Sequence, residues 1–305
     1  MASFFNNAES EKWLRQWYWE RLDALGQPYE SISVETSFGD TQLIISGRAE
    51  GPPLILLHAE NSCSAVALTA LSGLLDRYRV YAIDIVGEPN LSAPVRPAIS
   101  KHAYGQWMFE IQSRLRLQGA QAVGISFGAF VLMKSLIFNP SAFSMVYLIT
   151  PLGWVERAID PSLATDVIAL EAYERTRQVS FRTLYLQALL TNLHGIEAQF
   201  LRQILGNFQS DKRQVPLIDD ESLCGIQIPL HLILTEEDNL VPEVPAYKRW
   251  LKHFSTTSQC LSLPSSRHVP EETGHKQVVK FIATTSENTA NNKTTGGFYN
   301  NEQPV

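Results

Sequence analysis

Over the first fifty residues the spacing of apolar positions changes from helical to alternating. Leu14, Tyr18, Leu22 and Leu25 recur every three or four residues within 9–25, which predicts an amphipathic helix, and Gly26 and Pro28 stop it. Trp13, Trp17 and Trp19 fall in the same segment. The basic polar face of a membrane-surface helix is missing, so this helix is expected to pack on the body of the molecule. Ile32, Val34 and Thr36 then alternate, and Gly39-Asp40 turns the chain into 42–46, a β-hairpin. Beyond it, apolar runs at 54–57, 79–85, 120–123, 145–149, 230–234 and 260–263 read as strands. Helical stretches at about 65–76, 102–117, 127–138, 245–253 and 273–283 lie among them. Apolar strands alternating with helices predict an α/β molecule: an eight-stranded, mostly parallel sheet with helices on both faces.

The alternation fails between 152 and 222. That stretch reads as helices, with Leu184, Leu186, Leu189, Leu190, Phe200, Leu201 and Ile204 as buried candidates. An all-helical insertion in such a sheet suits a cap over the strand ends, where these sheets bind ligands. From 284 to 305 the chain is rich in Asn and Thr and poor in bulky apolar residues, which predicts a disordered tail. The expected organisation is therefore an N-terminal helix over 1–27, a core made of 28–151 and 223–283, a helical cap over 152–222 and a tail over 284–305.

Composition narrows the function. With 305 residues, 45% of them hydrophobic, the chain can bury a large core and is neither disordered nor a small disulfide scaffold. Its 25 Lys and Arg against 31 Asp and Glu, net −6, argue against nucleic acid as a partner. No apolar stretch approaches the ~18 residues of a membrane span, and no charged start precedes an apolar signal segment. A cytoplasmic protein acting on a small molecule is the expectation. Cys63, Cys224 and Cys260 are widely spaced, and no histidine pattern links to them, so no metal and no cofactor is expected.

The sharpest chemical signal is Gly124-Ile125-Ser126-Phe127-Gly128, placed between a strand and a helix. A G-x-S-x-G turn there lifts a serine above the sheet, and its small flanking residues let the chain bend tightly. A serine hydroxyl needs a base to take its proton and an acid to orient that base. Asp238 lies in the turn after the 230–234 strand, and His268 stands thirty residues later, past the last strand. Glu236 and Glu237 are rivals of Asp238, and His275 is a rival of His268. His275 falls in the last helix, where a solvated face is the natural reading. The oxyanion donors are expected to be the backbone N–H of Phe127 and that of Glu60, or of Ala59 beside it, in the loop after the 54–57 strand.

With these residues placed, the chain resembles the α/β-hydrolase superfamily. Within it, the resemblance is to carboxylesterases of the bacterial carboxylesterase NP type and their C–C hydrolase relatives. It runs from about Pro28 to Ile282 and rests on 53–58 ending in His58, on Tyr81 through Gly87 to Ser92, on the Ser126 turn, and on Asp238 and His268. The resemblance implies an α/β-hydrolase fold with a helical cap, an acyl-enzyme mechanism and no cofactor. It implies a serine hydrolase acting on a small, largely apolar ester, with Trp154 and the 181–204 region shaping the cap. A C–C bond or lactone hydrolase with the same residues, and a non-catalytic binding module, are the alternatives. The chain departs from the family at His58-Ala59, where His-Gly is usual, at Ala129, and at Glu88-Pro89-Asn90 in the segment ending at Ser92.

Overall fold

A computed structural model describes residues 3–156, 165–254 and 258–295, with side chains of 289–295 left aside. Strands β1 (Tyr29–Thr36) and β2 (Gly39–Gly47) form the hairpin, in register from Tyr29↔Ser46 to Thr36↔Gly39. Then come β3 (Pro53–Leu57), β4 (Arg79–Ile83), β5 (Ala120–Ile125), β6 (Phe143–Ile149), β7 (Leu230–Thr235) and β8 (Cys260–Leu263). Their order across the sheet is β1-β2-β4-β3-β5-β6-β7-β8. The β1–β2 and β2–β4 pairs are antiparallel and the remaining pairs parallel.

The continuous apolar runs follow from burial on both faces. Because side chains alternate along a strand, each run splits its residues between two cores. Ile55, Leu57, Ile83, Val146, Leu148, Leu230 and Leu232 enter one core, with helices α3 (Ala103–Leu115), α4 (Phe127–Phe138) and α9 (Glu243–Phe254). Leu54, Leu56, Val80, Ala82, Tyr147 and Ile233 enter the other. Helices α1 (Ala8–Asp23), α2 (Ser64–Ala70) and α10 (Glu272–Thr295) cover that second face. Helix α1 buries Leu14, Tyr18 and Leu22, while Leu25 falls beyond its end and is only partly covered.

Helices α5 (Thr165–Thr176), α6 (Val179–Leu189), α7 (Ile196–Ile204) and the short α8 (Asp220–Cys224) fill the stretch without strands. Leu186, Leu189, Leu190, Phe200, Leu201 and Ile204 are buried there, but Leu184 is 44% exposed. It sits on the outer side of α6, two and five residues from the inward Leu186 and Leu189, spacings that a 3.6-residue period does not bring to one face. The aromatic helix α1 meets this region directly: the rings of Trp17 and Phe200 are 4.9 Å apart.

The last helix does not stop at 283 but continues to Thr295. Thr285 is buried with its hydroxyl 2.9 Å from that of Tyr147, and Gln121 donates to Ser286 at 2.8 Å. A polar composition read as disorder thus conceals one inward face that is anchored to β5 and β6. The rest of the expected tail, 296–305, lies outside the described residues. No helix among the described residues is long and apolar enough to cross a membrane.

Candidate active site

Strand β5 ends in a turn that only small residues permit. A Cβ on Gly124 would stand 2.6 Å from the Ala129 nitrogen, and one on Gly128 2.6 Å from the carbonyl oxygens of Leu57 and His58. Between them Ser126 has φ 53° and ψ −108°, a conformation that costs an L-residue energy and is held here by its surroundings. Its N–H donates to the Ile149 carbonyl at 2.8 Å, tying the turn to β6. The strain presents Oγ above the strand end, at the start of α4.

Asp238 and His268 converge on that hydroxyl from two other loops. Asp238 follows β7, and its Oδ1 accepts from the N–H groups of Leu240 (2.8 Å) and Val241 (3.1 Å), which fixes the carboxylate plane. Its Oδ2 is 2.8 Å from His268 Nδ1, and His268 Nε2 is 2.8 Å from Ser126 Oγ. An ionised aspartate only accepts, so Nδ1 carries the proton and Nε2 is left to accept from the serine O–H. All three side chains are buried. The rivals stand elsewhere. Glu236 accepts from the Ser265 N–H at 3.0 Å, and Glu237 faces Arg267 at 3.7 Å on the exterior.

His275 lies in α10 as anticipated, but it is not solvated. Its Nε2 is 3.6 Å from Glu197 Oε1 of α7, and both side chains are largely covered. Burial pushes the His275 pKa down to about 4 and that of Glu197 up to about 7. Trp154 also departs from expectation: it is fully buried in the core beneath the cap, donating from its ring N–H to the Ala246 carbonyl at 3.0 Å.

The loop after β3 runs past the same site. His58 is fully buried, and burial lowers its pKa to about 4. It is therefore neutral: Nδ1 donates to the Ala59 carbonyl (2.8 Å) and Nε2 accepts from the Ile85 N–H (2.9 Å). Ala59, Glu60 and Asn61 border the same cavity as Ser126 and His268. The N–H of Phe127 belongs to the first turn of α4, where helical amides lack intrahelical partners.

That cavity is about 1080 Å³, enough for a drug-sized molecule. Val66, Ile125, Leu152, Phe200, Leu240 and Val269 give it an apolar wall from both core and cap. The end of α6 also braces the loop that carries His268: Val269 N–H donates to the Leu189 carbonyl at 2.9 Å, and Thr191 N–H to the Val269 carbonyl at 3.2 Å. Nothing in the sequence marks this pairing, because it joins residues nearly eighty positions apart without a motif. Among the described residues no cluster of His, Cys, Asp or Glu has the arrangement to hold a metal ion.

The sheet order and the serine turn at the end of β5 are those of a serine hydrolase of the α/β-hydrolase fold. The relatives agree. The chain is 26% identical over 230 residues to carboxylesterase YbfK of Bacillus subtilis, covering 72% of this chain and 75% of that protein. It is 29% identical over 136 residues, 45% of each chain, to the uncharacterized carboxylesterase nap of the same organism. Among solved structures, CesB (YbfK) of B. subtilis superposes with a TM-score of 0.75 at 22% identity, over 90% of this chain and 99% of that one. Naproxen esterase (carboxylesterase NP) of B. subtilis gives 0.74 at 20%, over 88% and 96%. No protein-family model matches the chain.

Proposed function

We propose that this chain hydrolyses a largely apolar carboxylic ester of small-molecule size through an acyl-enzyme, with Ser126 as nucleophile, His268 as base and Asp238 as its orienter. The observation that carries this reading is the unbroken relay from Asp238 through His268 to Ser126, with both contacts at 2.8 Å. Nε2 removes the serine proton as Oγ attacks the ester carbonyl, and Asp238 stabilises the imidazolium that forms. The tetrahedral oxyanion is received by the backbone N–H groups of Phe127 and Glu60, worth about 10²–10³ in rate per donor in comparable sites. The imidazolium then protonates the leaving alcohol, and water repeats the sequence on the acyl-enzyme. Helices α5–α7 act as the cap: their side chains, with Leu152 and Ile125 of the core, form the apolar wall that takes the substrate.

The test is intact-mass analysis after incubation with a fluorophosphonate, which needs an activated serine but no knowledge of the substrate. One adduct per wild-type chain, absent from Ser126→Ala, supports the reading. A folded wild-type protein that takes up no adduct sinks it.

A further inference from the structure

The loop that carries the Glu60 N–H is held in place by the loop after β4. Contacts at three points join the two. His58 Nε2 accepts from Ile85 N–H at 2.9 Å, with Asn90 Nδ2 3.2 Å away. Asp84 Oδ1 accepts from Ser64 N–H at 2.8 Å. Between them, Glu88 Oε2 accepts from the N–H of Asn61 at 2.6 Å. The outer two fix the start of the loop and the entry to α2. The Glu88 bond reaches its middle, one residue from Glu60.

The middle is where the backbone is under strain. Asn61 has φ 52°, in the left-handed region that non-glycine residues enter at a cost, and it is 3% exposed. A short bond from a buried carboxyl group offsets that cost. Glu88 is 7% exposed and lies outside the cavity lining, so it reaches the reacting atoms only through Asn61. The geometry assigns Glu88 as the positioning residue of the oxyanion loop: by accepting from Asn61 N–H it holds Asn61 left-handed and so aims the Glu60 N–H at the oxyanion site. This rests on the esterase reading of the triad.

The surroundings of Glu88 add a second, independent readout. Glu60 faces it from the oxyanion loop, Arg96 from its own loop, Asp211 from the segment after α7 and Tyr104 from α3. Burial first, then the charge of Glu60, push its pKa up, against the Asn61 N–H bond and the pull of Arg96. The rise favours the protonated form, whose Oε2 still accepts from Asn61. Ionisation of Glu88 would add a negative charge beside Glu60, where it opposes a developing oxyanion.

The experiment compares wild type with Glu88→Met, which fills the space without an acceptor, and Glu88→Gln, which keeps one. The readouts are p-nitrophenyl butyrate turnover and the rate of fluorophosphonate labelling between pH 6.5 and 9.5, with folding checked by circular dichroism. The expected result is a fall of about tenfold or more in kcat and labelling rate for Met at little change in KM, since a misaimed donor weakens only the transition state. Gln is expected to restore the rate to within about threefold and to remove the alkaline fall expected of wild type. A folded Met variant as fast as wild type, or a folded Gln variant as slow as Met, overturns the assignment. A wild type that is not labelled at Ser126 overturns instead the esterase reading beneath it.

Discussion

A histidine bonded to both an acid and a serine differs in kind from one that is merely buried near the same cavity. With His268 as the proposed base, His268→Ala is expected to lower kcat by about 10³-fold or more. His275 contacts no reacting atom, and His275→Gln should leave kcat within about threefold. Its own effect is on stability. The folded pKa of about 4 lies below the unfolded value near 6.5, so the unfolded chain binds the extra proton between them, and stability is lost as pH falls through that window. His275→Gln should accordingly lose less stability than wild type between pH 7 and pH 5, by up to about 2 kcal/mol, measured by urea melts at both values. An equal loss in both proteins would mean that His275 is not held neutral. Glu60 offers a third test at this scale. Glu60 borders the cavity at the oxyanion loop, so Glu60→Gln should raise kcat several-fold, whereas a fall would show that the charge contributes.

Among the elements, α7 links helix α1 to the cavity. It lies between the aromatic face of α1 and the cavity, and Phe200 is its pivot: 1% exposed, 4.9 Å from Trp17, and part of the cavity wall. Phe200→Ala removes a fully buried ring and should cost about 3–5 kcal/mol, read as a lower denaturant midpoint with m unchanged. The alternation of β3 to β7 was legible in sequence because every strand is buried on both faces and bounded by turn residues. The docking of α1 against α7 was not, because an amphipathic stripe names an apolar face but not the surface that it covers. Leu184 shows the same limit within one helix: four leucines in seven residues do not say which of them turns outward.

For the whole molecule, the covered stretch of α10 joins the end of the chain to the middle of the sheet. Truncation after residue 283 would leave Tyr147 without Thr285 and Gln121 without Ser286, and would delete Glu287, the partner of Arg77. Each lost hydrogen bond is worth about 0.5–1.5 kcal/mol, so the truncated protein should melt a few degrees lower. A melting temperature unchanged by the truncation would show that this stretch adds nothing.

By itself the sequence determined the fold class and the triad candidates, since both rest on local information: continuous apolar runs alternating with helical stretches, a strand-to-helix context, and small residues at Gly124 and Gly128 that a tight turn requires. The tertiary structure decided what depends on convergence across long separations. It brought Asp238 rather than Glu236 or Glu237 to His268, turned His275 toward Glu197, and took Trp154 out of the cap. It also set Glu88 behind Asn61, twenty-seven residues away. Period and motif constrain each residue against its chain neighbours, whereas these choices are made by packing and hydrogen bonding between segments that meet only when the sheet is assembled.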